Sequence, residues 1–344
     1  VGLRIERHER TTGRQETSRR MATSARPDDD RCTGRDESSS GGRLKASDVD
    51  AALDGYRSRL SLDGIDLLHP TSTGRYNRAL FEWGAEEGPE SAVASLSPLP
   101  SFGRKEEVST YDADSGGADD GSCLALILGS TGALWRPFLR WLDADRPSRL
   151  EDSPDPLDSY VSRAVERALR PTFDRLRVRH EIFWAWEVEP DRVVAMARAA
   201  ELSGMAHLDG TSHLSVHPTY GAWFSLRAVV VLDLPPLQQD TGLPPDVRLR
   251  GILSDEERRL ASEAFDRALA ASSADLGELR GREGSGEGNT CTGDAPRHEV
   301  WRQWVVLRDV VRRGREEHRF EEDQIEYHYT KKKAVLRRAL SLLV

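Results

Sequence analysis

The sequence predicts an α+β protein, with a central and mostly antiparallel sheet flanked by helices. Three observations carry that prediction. Apolar runs of strand length occur at 124–128, 181–188 and 223–232, the pattern of strands with structure packed on each side. Stretches between and around them repeat their apolar residues at helical spacing. Neither a regular strand–helix–strand repeat nor a Gly-x-Gly-x-x-Gly fingerprint is present to argue for a doubly wound parallel sheet.

The 344 residues are 38% hydrophobic and 31% charged, enough for one large core or two small ones. A net charge of −9 argues against general nucleic-acid binding, which needs a basic surface. No apolar run approaches the roughly 18 residues of a membrane span. Cys32, Cys123 and Cys291 form neither a disulfide framework nor a zinc spacing, which fits a reducing compartment. The chain opens on Val1, and Met21 is the expected start residue.

Residues 1–45 are rich in Arg, Asp, Ser and Gly and are expected to be disordered. One domain is expected over 46–344. Ser47-Asp48 caps a first helix with Val49, Ala52, Leu53, Tyr56 and Leu60 inward. Gly64 to Pro70 reads as a short extended segment ending at the proline, and Arg75 to Trp83 as a helical turn or loop. Residues 86–121 read as a surface insertion. Leu124 to Leu128 is a buried strand, and Gly129-Ser130-Thr131-Gly132 turns into a helix with Leu134, Trp135, Phe138 and Leu142 inward. That turn lacks a following Lys-Ser/Thr, so it is not read as a phosphate loop. Asp155 caps the next helix, with Tyr160, Val161, Ala164, Val165 and Leu169 inward. A strand follows over Glu181–Val188, then a helix from Pro190-Asp191 through Val193, Ala197, Ala200 and Gly204.

The central feature is His217 to Arg227, running into Ala228–Asp233. Strict alternation puts Trp223, Ser225, Arg227, Val229 and Val231 on one face of the strand. Phe224, Leu226, Ala228, Val230 and Leu232 then take the other. Arg227 would be buried, and a buried guanidinium needs an anion. Either an internal carboxylate or a ligand meets it. His217 reads as a structural histidine beside a proline turn. Ser254 and Glu257 form a capping box for a helix over 254–272. Residues 273–296 read as a second insertion. Trp301, Trp304, Val305 and Arg308 then share one helical face, making Arg308 a second inward arginine. One or two helices close the chain from Glu321, with Lys331-Lys332-Lys333 read as a solvated face. No Ser-His-Asp or Cys-His arrangement is evident.

His-Pro-x-x-Gly-x-Trp-Phe-x-x-Arg, His217 to Arg227, resembles the cobalamin-processing methylmalonic aciduria and homocystinuria type C protein family. Supporting pieces occur in order: Tyr76-Asn77, Leu124 to Ser130, Asp155-Pro156-Leu157-Asp158, Glu187-Val188-x-Pro190, Trp301-x-x-Trp304 with Arg308-Asp309, and Arg319-Phe320. The resemblance implies a nitroreductase-like fold and a cytoplasmic protein that binds cobalamin base-off. Its implied activities are reductive decyanation, with FMN or FAD or a partner reductase, and alkyl transfer to glutathione. Implied partners are the type D cobalamin-trafficking protein and the methionine synthase system, with cargo also reaching methylmalonyl-CoA mutase; the implied state is a monomer or a ligand-induced homodimer. The implied glutathione residues are Arg227, Arg308 and a third cation, taken as Arg337 with Arg338 and Lys333 as alternatives. The implied cobalamin contacts are Ala185, Val194, Ala195, Met196, Ala197, Glu201, Leu208, Asp209, Gly210, Ser215 and Leu226. Glu201 stands where the family has a histidine, and is expected either to repel an anionic group at the upper face or to pair with Arg227. A non-catalytic chaperone and a flavoenzyme with another substrate are the rival readings.

Overall fold

The computed structural model describes residues 46–87, 96–103, 121–237, 251–283 and 300–343. The segment 1–45 and most of the two expected insertions lie outside the described residues. The sheet is antiparallel and four-stranded. Its strands in spatial order are β1 (Leu67–Ser72), β2 (Leu124–Ser130), β6 (Ser225–Leu232) and β3 (His180–Trp184). A two-stranded ribbon, β4 (His207–Leu208) with β5 (Ser215–Val216), stands apart from it.

Helices cover both faces. On one side α1 (Ala46–Leu62), α3 (Trp135–Asp143) and α4 (Pro156–Leu169) pack with the chain's last helix, α10 (Lys333–Ser341), against Leu124, Leu126, Leu128, Ala228, Val230 and Leu232. On the other, α2 (Thr73–Glu87) and α5 (Met196–Leu202) lie over Ala125, Ile127, Phe183, Val229 and Val231. The remaining helices are α6 (Asp255–Glu283), α7 (Val300–Asp309), the short α8 (Arg315–His318) and α9 (Glu322–Thr330). The predicted fold class holds.

Several boundaries move, each for a local reason. β1 runs through Pro70 to Ser72 because it is an edge strand, where proline's missing N–H can face away from the ladder. Residues 73–87 form a full helix rather than a turn or loop. β3 stops at Trp184, with one last bond from the Ala185 N–H to the Arg227 carbonyl; on the strand's outer edge the Trp184 N–H donates to the Glu187 carboxylate. Arg192 then donates to the Ile182 carbonyl, so side chains close the outer edge of β3. The helix expected from Pro190 begins at Met196, after a turn. α6 runs on to Glu283, beyond the expected end at 272.

Residues 96–103, read as part of an insertion, are pinned to the core. Asn77 donates to the Leu99 carbonyl and accepts its N–H (2.9 and 2.7 Å), Ser97 bonds Val193 and Pro190, and Leu99 is buried.

The central strand corrects the predicted alternation. β2 and β6 pair one-to-one from Leu124↔Leu232 to Leu128↔Ala228, but the next pair is Gly129↔Leu226. Arg227 is therefore the extra residue of a β-bulge, a device that re-aims a side chain. Phe224 and Leu226 join Val229 and Val231 in one core, while Ala228, Val230 and Leu232 belong to the other. Arg227 turns from the Val229 side towards Ser130, to which its Nε donates at 2.8 Å.

Candidate functional site

Arg227 is 6% exposed, and one of its donors is satisfied, by Ser130. Among the described residues, no carboxylate lies within 4.0 Å of it. Burial pushes its guanidinium down to about 10, against the pull of Asp158 and Asp155 and with a push from Arg308. It remains a cation at neutral pH. The turn beneath it is rigid: Asp66 accepts both the Thr131 N–H and the Thr131 hydroxyl.

Arg308, also buried, projects from α7 towards the same place. Its Nε and one Nη donate to the Ala222 carbonyl (2.8 and 2.6 Å), and that Nη also reaches the Phe224 carbonyl. Its charge lies between Trp223 and Phe320, 4.4 and 5.0 Å from the ring centroids. Arg308 thus anchors the start of β6, and main-chain carbonyls rather than acids hold it. His328 of α9 is half-buried nearby. Burial, then Arg308, Arg227 and Lys331, hold its imidazole well below the usual range.

The third cation differs from the expectation. Arg337 lies on the surface, its side chain 54% exposed, and is paired with Glu151 at 2.6 Å. Lys333 donates to the Glu151 carbonyl, and Arg338 is held by Asp323 and Glu326. Lys331 is the terminal cation that joins the cluster, instead of lining a solvated face. It adopts a left-handed conformation at the break between α9 and α10 and meets Asp155 at 3.1 Å. Asp155 also caps α4, accepting from the Leu157 and Asp158 N–H groups. Burial opposes its charge, yet Lys331 and those bonds keep the Asp155 carboxyl below its ordinary range. Burial pushes Asp158 the other way, up to about 6, with Asp155 adding repulsion.

The His217 turn supports this arrangement. His217 Nδ1 accepts the N–H groups of Thr219 and Tyr220, and its backbone bridges to Gly221 in both directions. Burial, then His69 and His318, push the imidazole down to about 4. It is a neutral, structural histidine. Between that value and an unfolded value near 6.5, the unfolded chain binds more protons. Its stabilisation is therefore complete above about pH 6.5 and is lost as pH falls towards about 4. Denaturant titrations from pH 7.5 to 4.5 should show a shallower loss of stability in His217→Gln than in the unsubstituted chain. Parallel curves would remove this assignment.

The predicted corrin residues divide. Ala185, Val194, Ala195, Met196 and Leu226 come together over the α5 side of the sheet, where Ala185, Ala195 and Leu226 remain half-buried. The Tyr76 hydroxyl accepts the Ala195 N–H and places that segment. Ala197 and Glu201 follow on α5, and Leu208 and Ser215 sit opposite each other in the ribbon. Asp209 is committed to its own loop, accepting from Thr211 and Ser212, while Gly210 is exposed. Glu201 pairs with Arg198 at 3.1 Å and accepts the Leu208 N–H, so the proposed pairing with Arg227 does not form. Two clefts lie elsewhere, one between α3 and α10, the other beside β3 and the end of α4.

Sequence reasoning missed Lys331, Asp158, Gln324 and Ser225. Among the described residues, the Gln324 Oε1 and Ser225 Oγ atoms are buried without a hydrogen-bond partner, as is Trp223 Nε1. The i, i+4 spacing of Gln324 and His328 on α9 was the available signal.

No protein-family model matches the chain. A stretch of 131 residues is 29% identical to the Bos taurus protein named cyanocobalamin reductase / alkylcobalamin dealkylase. That match covers 33% of this chain and 44% of the relative, so it spans less than half of the relative's length. Among solved structures, the C. elegans B12-trafficking protein CblC, described as a human MMACHC homologue, superposes with a TM-score of 0.55. It is 18% identical, with 87% of this chain and 99% of that chain covered. This chain has the CblC fold. The resemblance read from the sequence thus holds in both comparisons. A selenomethionine-labeled epoxyqueuosine reductase matches at a TM-score of 0.32 and 11% identity over 56% of this chain, too slight a likeness to bear on the fold. Among the described residues, no helix is long and apolar enough to cross a membrane, and no cluster of three metal-ligating side chains occurs.

Proposed function

We propose that the chain binds cobalamin base-off and removes its upper axial ligand, transferring alkyl groups to glutathione and releasing cyanide reductively. One observation carries this reading. A bulged strand turns a buried Arg227, without a carboxylate partner among the described residues, to one side and leaves a half-buried apolar face at Ala185, Ala195 and Leu226 on the other. A flat macrocycle needs an apolar wall, and an acidic tripeptide needs a fixed cation. The fold and the partial match to a cobalamin enzyme support the same reading.

In this mechanism Arg227 holds a glutathione carboxylate. The cations Arg227, Arg308 and Lys331 favour the thiolate over the thiol. The thiolate sulfur attacks the cobalt-bound carbon, and the carbon–cobalt pair leaves with cob(I)alamin as the thioether forms. The protein positions the reactants and excludes water.

A reduced flavin, FMN or FAD, would supply the electrons for decyanation. The Gly129–Gly132 turn does not fit a flavin phosphate, because the Thr131 N–H and hydroxyl are taken by the Asp66 carboxylate. We place the flavin on a partner reductase or elsewhere on the chain. Cytoplasmic residence, hand-over through the type D protein to the methionine synthase system, and ligand-induced dimerisation belong to the same proposal.

A chaperone without turnover is the second reading, favoured because Arg308 is held by carbonyls and Arg337 by Glu151. Glu201 adds nothing to it, since Arg198 partners its charge. Titrating base-on alkylcobalamin into the protein should shift the visible bands to the base-off form, and added glutathione should then convert the alkyl species. A base-off shift without conversion supports the chaperone; no shift ends both readings.

A further inference from the structure

The cleft beside β3 opens on the α4 side of the sheet, away from the half-buried face at Ala185 and Ala195. Ile182, Trp184 and Trp186 pack with the α4 core, whereas Ala185 and Ala195 belong to the other. The cleft holds about 470 Å³, enough to seat a large side chain. Its apolar wall is Leu169, Ile182 and Trp184, and Trp186 stacks on Trp184 with ring centroids 5.0 Å apart. Both tryptophans stay half-buried. The charges around the cleft do not balance. Its own acids are answered: Glu166 by Arg170 at 4.0 Å and Glu181 by Arg192, while Asp174 faces His180 at 4.0 Å. The arginines beyond its rim are not answered. The segment Arg170–Asp174 that follows α4 forms one wall, and Arg59 of α1 reaches it, donating to Thr172 Oγ1 at 3.1 Å. Arg175 and Arg177 leave that segment in a turn closed by the Arg177 N–H on the Asp174 carbonyl. Arg163 stands on α4 two turns before Arg170, on the same helical face. All four arginines are exposed, and among the described residues none has a carboxylate within 4.0 Å. Unanswered guanidiniums thus border an aromatic wall on a chain whose net charge is −9. A free anion would use the arginines and leave the tryptophans bare.

We propose that this face docks an acidic segment of a protein partner, with an aromatic residue in the cleft against Trp184 and carboxylates on Arg59, Arg163, Arg175 and Arg177. A guanidinium's planar fork suits a carboxylate, and a tryptophan-walled pocket suits an aromatic anchor. The segment engages side chains and adds no strand, because Arg192 and Glu187 already close the outer edge of β3. Nucleic acid is the poorer fit, since the chain's overall negative charge opposes a phosphate backbone. Docking here leaves the face at Ala185 and Ala195 free, so it holds whether or not the chain turns over cobalamin.

Fluorescence anisotropy of the full chain tests it, with a labelled oligoglutamate peptide carrying one central tryptophan and the same peptide carrying alanine there. The tryptophan peptide should bind about tenfold more tightly than the alanine peptide. The double variant Arg163→Gln/Arg175→Gln should weaken it about 3- to 20-fold. Arg140→Gln/Arg267→Gln removes the same charge from exposed arginines on α3 and α6 and should leave the affinity within about twofold. Equal affinity for the two peptides overturns the docking site, because the cleft then seats no anchor. An equal loss in the two double variants overturns it as well, since bulk charge alone would then explain binding. Tighter binding of a labelled single-stranded oligonucleotide, with loss in the first double variant alone, assigns the face to nucleic acid and overturns the proposal. So does a dimer in sedimentation that the first double variant abolishes, which would make a second copy the occupant. Absence of peptide binding ends it. Should the first double variant fail to fold, the two peptides on the unsubstituted chain decide the matter.

Discussion

Arg227→Met is expected to fold at least as stably as the unsubstituted chain while losing glutathione-dependent alkyl transfer. The two effects have opposite signs for one physical reason. Arg227 is buried, has one side-chain hydrogen bond, and has no carboxylate within ion-pair distance among the described residues. Burying a charge without compensation costs several kcal/mol, and apolar replacements of similar volume at such sites are often neutral or stabilising by about 1–4 kcal/mol. Methionine fills much of the arginine stem's space without its charge and gives up one bond to Ser130, about 1 kcal/mol. The net change in stability should be zero or a gain of about 1–2 kcal/mol. A ligand carboxylate held by two charge-assisted bonds would lose about 3–4 kcal/mol, so kcat/KM for glutathione should fall about 10²- to 10³-fold. The base-off shift of cobalamin should survive, because the apolar face lies on the other side of β6. Thermal denaturation and stopped-turnover absorbance together check it. A large loss of stability would mean that Arg227 is a structural residue satisfied within the chain.

Much of the fold was legible because its signals are local. Continuous apolar runs gave β2 and β6, the Asp155 cap gave α4, and Ser254 with Glu257 gave the start of α6 through a capping box that the structure shows bond for bond. The faces of β6 were not legible. Alternation counts residues, and a bulge adds one without a composition signal; only its pairing partner, β2, reveals it. Within the expected insertion, 96–103 was misread for a related reason: Leu99 is held by Asn77, 22 residues away in sequence. At the site, Arg227 and Arg308 came from burial arguments about a strand and a helical stripe, and burial is where those arguments succeed. Ranking Arg337, Arg338 and Lys333 needed knowledge of where α9 breaks. A left-handed Lys331 makes that break, and no glycine marks the position.

Gly221→Ala should be among the most destabilising single-methyl additions in the described structure, lowering stability by about 4 kcal/mol. Gly221 has φ +56°, and a Cβ there would stand 1.9 Å from the Arg313 carbonyl oxygen. The left-handed conformation alone costs a non-glycine residue about 1–2 kcal/mol. The clash adds more, because the obstacle is backbone and cannot rotate away. It cannot retreat easily either: Gly314, next in the chain, has φ +64° and is already packed on the Thr219 carbonyl and the Tyr220 backbone. The two glycines let the His217 turn and the end of the α7 connection interlock. Pushing them apart would strain the reciprocal His217–Gly221 bonds and the Arg308 bonds to Ala222 and Phe224, which set the start of β6. Activity should therefore fall with stability, unlike Arg227→Met. Gly84→Ala is the matching control, since a Cβ there meets nothing within 4 Å and the residue lies in α2. A helical position of that kind should gain about 0.5–1 kcal/mol. Thermal denaturation should separate the two variants by roughly 10 °C or more. If both melt together, the turn tolerates a side chain, and its place as the rigid support of the start of β6 is lost.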